Sequence, residues 1–505
     1  MLRSMVLLRS MAIGNAEVYG NTPVCDDAQI YDNDNKLLDE RSTVLTECLN
    51  DLSSQHDSPI ALSVKTRYNL YTDKYNKREY GANKMNNYKL SDEIKTTPEG
   101  TVLHRVVATK TFTQANGNTI NAGDVGGWIE KESNLSGNAW VSDDAMVYGD
   151  AKVTGDALVS SNAKVYGYAQ VSGDAEVSGN ACVYDSAEVY GNAKVSGDAK
   201  ISGYAKVYDN AKVYGKAKVY HNAKVTGTAW VSDDAQVYGN AKVSGDAEVI
   251  GNAQVSGDAE VSGNAWVYKN AQVYGKAKVF EDSLVVGNAQ VSGNAQVYGN
   301  AQVSGNAQVS GNTRVAGNAL VTGNALVSGN TWVSDDAQVF GNAKVYGHAW
   351  VYGDAKVSGD ALVYMDAKVY GNAMVCDAKV SGNAQVSEDA RVSGNAEVSG
   401  NAFVSDDAHV YGNAKVHGHA WVYGDAQVCD YAKVYGDAKV SGNAQVSGNA
   451  WVSGNAEVYG NAEVYGNDMV YGDAQVSGNV TVYDNDNKLS DERSKVLFEG
   501  LNDLS

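Results

Sequence analysis

Proline and phenylalanine are scarce in this 505-residue chain, which has three prolines and five phenylalanines beside 53 glycines and 32 tyrosines. Proline lacks the N–H that a β ladder needs, and Pro23, Pro59 and Pro98 all precede residue 135, so continuous strand pairing is open to the rest of the chain. The five cysteines are odd in number and show no C-x-x-C spacing. This argues against a disulfide framework or a zinc site. It favours a reducing compartment, the cytoplasm, with a cell surface or a virion as the alternative.

Basic residues are also in deficit, since 40 Lys and Arg face 60 Asp and Glu and give a formal net charge of −20. Nucleic acids select basic surfaces, so we expect no nucleic-acid partner. The acids are spread along the chain, as is typical of a solubilising surface. The first nine residues hint at a signal peptide, but Arg9 breaks their apolar run. No run is apolar and long enough to cross a bilayer, so we expect no membrane insertion.

One short repeat fills most of the chain. From Leu135 the sequence runs LSGNAW, VSDDAM, VYGDAK, with an aliphatic residue at every sixth position to Val369. A single five-residue unit follows at 375–379, and units of six resume at Val380, which gives 58 units over residues 135–482. The consensus is Val, Ser or Tyr, Gly, Asn or Asp, Ala, then Lys, Gln or Glu. A fixed short period of this kind is the signature of a solenoid.

The repeat predicts an all-β, single-stranded parallel β-helix. Ala and the Val two residues later share one face of a strand, and this apolar face must be the inside. Gly with Asn or Asp supplies a corner, so three units close a triangular coil and 58 units give about 19 coils. We therefore expect Val213 and Val303 to be buried, and the short unit at 375–379 to cause a tightened turn or a kink. The period does not fix handedness; three-sided right-handed coils are the alternative to left-handed ones.

The regions outside the array differ in character. Residues 88–134 are predicted to form a small β cap, and residues 483–505 a capping helix with Leu497, Leu501 and Leu504 on one stripe. Residues 1–53 nearly repeat the end of the chain and resemble the C-terminal part of another copy, joined to the rest by a polar linker at 54–87.

The repeat unit resembles the hexapeptide repeat of left-handed β-helix proteins, a superfamily that contains many acyltransferases, often trimeric. The lead-in Gly126-Gly127-Trp128-Ile129-Glu130 is similar to that of little-characterised bacterial and prophage repeat proteins, some of them labelled acyltransferases. The resemblance covers about residues 88–482 and implies left-handed coils and a homotrimer. Apart from the resemblance, end-to-end assembly is the alternative form of self-association. Family enzymes usually interrupt their coils with loops that build the active site, and this array shows none.

Two kinds of residue are candidates for a site. Acyl transfer requires a general base, usually histidine, and His348 and His419 are the catalytic candidates. They belong to two near-identical stretches of the array, so duplication explains their match without a catalytic role. Outward-facing Trp332, Trp350 and Trp421 are candidates for sugar stacking or a subunit interface, with ladder packing as the structural explanation. We expect no cofactor, and no calcium site at the Asp-Asp corners, because the nine-residue calcium repeat is absent.

The sequence therefore favours a non-catalytic structural rod that acts as a spacer, scaffold or surface-display element, with a prophage origin as an added hypothesis. The first alternative is an acyltransferase, which a loop breaking the array near a histidine would support. The second is a fibre module that binds a glycan or a host surface, which a contiguous aromatic stripe on one face would support.

Overall fold

The computed structural model describes residues 11–13, 16–18, 87–482 and 488–489. The chain divides into two units, Met1–Met85 and Asn86–Ser505. In the first unit, strands Met11–Ile13 and Ala16–Val18 pair antiparallel. Within the segment 483–505, for which the sequence predicts a capping helix, Lys488–Leu489 instead form a strand that pairs with Met469–Val470, and the rest of the segment lies outside the described residues. Among the residues that are described, no helix is long and apolar enough to cross a membrane.

The second unit is a parallel β-solenoid of about 20 turns with three faces. Face 1 runs from strand Trp140–Val141 to Thr481–Val482, face 2 from Met146–Val147 to Lys488–Leu489, and face 3 from Lys152–Val153 to Gln475–Val476. Most strands consist of two residues, the outward residue and the Val after it. Each pairs in parallel with the strand three units further on, as Lys212 does with Trp230, so three units make one coil. Longer strands all lie on face 1: Glu248–Gly251, Trp266–Lys269, Leu284–Gly287, Lys356–Ser358, Met374–Cys376 and Arg391–Ser393.

The core consists of the Val and Ala side chains, as the two-residue alternation predicts. Val213 and Val303 are both completely buried. Threonine replaces the inward Ala at two successive coils, where the Thr313 hydroxyl donates to the carbonyl of Ser310 at 2.7 Å and lies 3.0 Å from the Thr331 hydroxyl. The core is thin, so the solenoid depends on the contacts that each coil makes with its neighbours.

The corners place one residue of each unit at positive φ, which explains the glycine. At Gly347, with φ of 80°, an added Cβ would lie 2.8 Å from the backbone nitrogen of Met365 in the next coil. Several aspartates that replace this glycine are held by their own side chains. The carboxylate of Asp335 accepts a hydrogen bond from the N–H of Gly353, one coil further on, at 3.1 Å. Asp-Asp corners therefore have a structural explanation.

Asparagine ladders follow the corners along the rod. The side-chain amide of Asn288 donates to the side-chain oxygen of Asn306 at 2.9 Å, and Asn306 donates in the same way to Asn324 at 2.9 Å. Each amide donates to one neighbour and accepts from the other, so a column of asparagines satisfies itself from coil to coil.

The five-residue unit tightens one turn and leaves the faces unbroken. Asp377 takes the positive-φ position, at 55°, and the chain passes directly to the buried Ala378. The Asp377 carboxylate accepts a hydrogen bond from the N–H of Asp360 at 2.8 Å. The strand at 379–380 then pairs with Leu362–Val363, one position closer in sequence than in a regular coil. Of the two predicted outcomes, the structure adopts the tightened turn.

Residues before the array form a small antiparallel sheet joined to face 2. Strand Tyr88–Thr96 pairs with Val102–Ala108, which pairs with Val125–Ile129, and the last of these pairs in parallel with Met146–Val147. A short hairpin, Phe112–Thr113 with Thr119–Ile120, and a 3-10 turn at Glu132–Asn134 complete this region. The Phe112 ring meets the buried Trp140 edge-on, with ring centroids 6.1 Å apart.

Candidate functional site

The duplicated stretches that begin at Trp332 and Phe403 both lie on face 3. Their separation is one position short of four regular coils, and the five-residue unit between them accounts for the missing position. Four coils at a strand spacing of ~4.8 Å separate the two copies by about 19 Å along the rod. The shortened unit therefore keeps the two copies in register on one face.

The two candidate catalytic histidines are exposed corner residues that continue asparagine ladders. The amide nitrogen of Asn330 lies 3.4 Å from Nδ1 of His348, and that of Asn401 lies 3.3 Å from Nε2 of His419. Each ring nitrogen is thus placed to accept the hydrogen bond that an asparagine oxygen accepts elsewhere. In the region that the structure describes, neither ring has a carboxylate hydrogen-bond partner. Both histidines therefore have a structural explanation, as their duplication suggested.

No loop breaks the array between strands Trp140–Val141 and Thr481–Val482. Across the described residues there is also no group of three or more His, Cys, Asp or Glu side chains that could hold a metal ion. The feature that would favour the acyltransferase hypothesis, a loop beside a histidine, is thus not found in this part of the chain.

The two tryptophans of the first copy form a groove. Trp332 and Trp350 are neighbours on face 3, with ring centroids 5.4 Å apart and ring planes at 61°. With Ser334 and Tyr352 they line a shallow cavity of about 230 Å³, called here the Trp332–Trp350 groove. Trp350 is 42% exposed. The indole nitrogen of Trp332 is buried and has no hydrogen-bond partner among the described residues.

Cations lie at both ends of the aromatic pair. The Arg314 guanidinium lies 5.6 Å from the centre of the Trp332 ring, and the Lys368 ammonium lies 5.4 Å from the Trp350 ring. Within the described part of the chain, neither cation forms an ion pair. The order along face 3 is therefore cation, indole, indole, cation, an arrangement that cation–π attraction stabilises.

The second copy has a different surface. Phe403 stands where the first copy has Trp332, and its ring lies 5.6 Å from Trp421 at an angle of 46°. Ser405, which corresponds to Ser334, is only 6% exposed, and Trp421 is 50% exposed. Gln385 occupies the position of Arg314. The candidate Trp421 thus lies in an aromatic pair that offers no indole N–H from its partner ring.

Most other aromatic side chains pack along the rod axis. Tyr148 and Tyr166 stack at 5.1 Å with ring planes 4° apart, and similar tyrosine pairs recur on faces 2 and 3. Ladder packing, the structural explanation of the aromatic rows, is therefore correct for these tyrosines. Sequence reasoning singled out the tryptophans and missed Ser334 and Tyr352 as groove residues. Tyr352 could have been predicted from its position, because it follows Ser334 by one full coil and the two side chains therefore lie in one column.

The geometry defines the class of this protein, a β-solenoid repeat protein. Four segments of the array match the family model of the YdcK beta solenoid repeat: residues 253–269, 289–305, 444–462 and 474–485. The repeat is therefore similar to that of YdcK. No curated protein matches the chain in sequence.

Proposed function

We propose that this protein is a rigid structural rod, a spacer, scaffold or surface-display element without a catalytic role. The observation that carries this proposal is the uninterrupted ladder of the solenoid, in which face 1 alone stacks 20 strands. At ~4.8 Å per strand this stack extends about 90 Å. The Val and Ala core and the hydrogen bonds between corners recur along the array, so stiffness extends along the whole array and does not reside in one part of it.

The surface chemistry also supports a spacer. The dispersed negative charge disfavours nonspecific self-association, and the histidines that could have acted as bases are held in ladders. A prophage origin, a trimeric or end-to-end assembly, left-handed coils and a cytoplasmic location rest on sequence resemblance and composition, and they remain hypotheses.

Deletion of three whole coils tests the rod. Removing residues 249–302 joins Glu248 to Val303 and restores the consensus order at the junction. We expect unchanged circular dichroism per residue and a maximum dimension about 14 Å shorter by small-angle X-ray scattering, because three strand spacings are lost. A coil deletion that collapses the fold or leaves the length unchanged would refute the proposal.

The control is a slightly longer deletion, residues 249–305, which ends in the middle of a unit. It also removes the Val, the outward serine and the corner glycine of that unit, so Glu248 is followed directly by Asn306. The junction then lacks one inward Val and one corner, and we expect local unfolding there and a lower midpoint of urea denaturation.

A further inference from the structure

We propose that the Trp332–Trp350 groove binds an acidic saccharide, with a sugar ring on the indoles and its carboxylate beside Arg314 or Lys368. This site adds a specific binding function to the rod and does not depend on the rod being a spacer. Three observations support the assignment: the exposed indole surface, a Trp332 N–H without a hydrogen-bond partner among the described residues, and two cations without an ion pair in the same part of the chain.

The aromatic floor fits a sugar ring in shape and polarity. The face of an indole is electron-rich, and the C–H groups on one face of a pyranose carry partial positive charge, so the two attract when stacked. Trp350 is well exposed and meets Trp332 edge-on, so the pair covers fewer ring faces than a parallel stack would. Stacked tyrosine pairs elsewhere on the rod, such as Tyr148 with Tyr166, lie parallel with centroids 5.1 Å apart, so each covers one ring face of the other.

The polar groups of the groove call for an acceptor. A buried N–H without a partner is rare, and the indole nitrogen of Trp332 can only donate. The nearest acid in sequence, Asp335, is already engaged, because its carboxylate accepts from the Gly353 N–H at 3.1 Å and lies 3.4 Å from the Ser334 hydroxyl. Because this nitrogen is buried, a ligand must turn the Trp332 ring toward the groove to reach it, and a hydroxyl or carboxylate oxygen of the ligand would then accept from the indole.

The outward column that contains the two tryptophans differs in charge from the protein as a whole. The chain carries a net charge of −20. The outward column on face 3 nevertheless has no acid over eight successive coils: Arg314, Trp332, Trp350, Lys368, Gln385, Phe403, Trp421 and Lys439. A carboxylate on the ligand would compensate the cations that flank the groove, whereas a neutral sugar would leave them unpaired.

The test uses trigalacturonic acid and its neutral methyl ester, two probes with the same rings and different charge. Binding to the full chain is measured by titration calorimetry at low and at moderate salt. We expect the acid to bind and the ester to bind at least about tenfold more weakly, with the difference shrinking as salt screens the cations.

The second copy of the duplication supplies matched variants. Trp350→Ala removes half of the floor and is expected to weaken binding at least about tenfold. Trp332→Phe and Arg314→Gln each introduce the residue of the second copy, and each should weaken binding about threefold to tenfold by removing the N–H or the charge. Trp421→Ala is the control and should change binding less than about twofold.

Four outcomes would overturn the proposal: no binding of the acid, equal binding of acid and ester, equal effects of Trp350→Ala and Trp421→Ala, or self-association abolished by Trp350→Ala in the absence of sugar. The last would assign the groove to a second copy of the chain. All the substituted residues face outward, and circular dichroism checks that each variant keeps its fold. Trp350→Phe is a second substitution at the same position that keeps an aromatic ring. Comparing it with Trp350→Ala separates lost binding from lost fold. The rod dimensions should be the same in every variant, so failure here leaves the proposed function standing.

Discussion

The two copies of the duplicated stretch on face 3 share the side-chain contacts that join successive corners, and they differ in their outward surfaces. In both, an asparagine of the preceding coil lies within hydrogen-bond distance of the corner histidine, and an aspartate accepts an N–H of the next coil. The first copy presents a groove, with Arg314 and Trp332, where the second has Gln385 and Phe403. The repeat thus determines the contacts between coils that both copies share. The surface depends on which side chains occupy the outward column of face 3, to which every coil contributes one residue.

Moving the second copy to another face would have the largest effect on this comparison. Deletion of the single unit 379–384 joins Ala378 to Gln385 and should place the second copy on face 2 without loss of fold. The measurement is the distance between spin labels at 352 and 423 in a cysteine-free background, about 19 Å along the rod in the parent.

The matched control for that experiment is deletion of the whole coil 379–396, which should keep both labels on face 3 and shorten their separation by about one strand spacing, ~4.8 Å. The single-unit deletion should instead add a displacement across the rod. Equal distances in the two deletion variants would show that three units do not make one coil.

The shortened turn at 375–379 keeps the two copies in register, and substitutions in it should have the next largest effect. Asp377→Ala removes the acceptor of the Asp360 N–H and puts alanine at positive φ, so we expect a loss of about 1–3 kcal/mol. Asp377→Asn keeps an acceptor oxygen and a residue that tolerates this φ, and it should lose less. Urea denaturation followed by circular dichroism measures both. Equal losses for Ala and Asn would mean that the carboxylate does not close the turn.

A glycine inserted after Cys376 is the complementary change. It restores a corner of full length, so stability should stay the same or increase. The same denaturation measurement applies, and a marked loss would show that the shortened unit is required by its neighbours.

Much of the fold could be predicted from sequence because the repeat is simple. The burial of Val213 and Val303 and the closure of a coil by three units follow from period and residue size. Because the unit at 375–379 lacks one corner residue, the sequence predicted either a tightened turn or a kink there. The structure has the tightened turn. Handedness does not follow from the period and stays a prediction. The predicted stripe of Leu497, Leu501 and Leu504 lies outside the described residues.

Only part of the candidate site could be predicted from the sequence. Outward tryptophans are visible in the sequence, and coil arithmetic places Trp332 beside Trp350. Whether an indole N–H is left without a partner depends on how two rings pack against each other and against Ser334. The angle between the two ring planes is 61° in the first copy and 46° in the second, although the surrounding sequence is nearly the same. Such packing is decided by the pair of rings and not by the repeat.

The aspartate corners offer a test of what the copies share. Asp335→Gly and Asp406→Gly keep a residue that tolerates positive φ and remove only the carboxylate that accepts the next N–H, at 3.1 Å and 2.9 Å. Each should cost about 1 kcal/mol, and the two costs should agree within a few tenths, as measured by urea denaturation. Alanine at either position should cost more, since it adds backbone strain. Unequal glycine costs would show that the copies differ in backbone as well as in surface.

The smallest expected effect concerns His417, which stands where the first copy has Tyr346. Burial lowers the pKa of His417 from its usual value, and Lys415 and Lys433 lower it further. The unfolded chain therefore binds a proton near pH 6.5 more readily than the folded chain does, so the contribution of His417 to stability falls as the pH drops through this value. Tyrosine does not titrate in this range and can stack on Tyr435, as His417 does at 5.1 Å. His417→Tyr should thus raise the melting temperature more at pH 5 than at pH 8. The ring is partly exposed, which limits the difference to a few tenths of a kcal/mol.

The reverse exchange, Tyr346→His, is the matched control for this prediction. The first copy keeps a lysine at Lys344 but has Leu362 where the second has Lys433, so one of the two repelling charges is missing. Fewer cations would oppose the protonation of a histidine at 346 than oppose that of His417. At pH 5 the histidine at 346 should therefore lower the stability of the protein by less than His417 does. Thermal denaturation of both variants at pH 5 and pH 8 tests the pair. If the gain from His417→Tyr is the same at both pH values, protonation of His417 is not coupled to folding, and the difference between the copies at this position is one of packing alone.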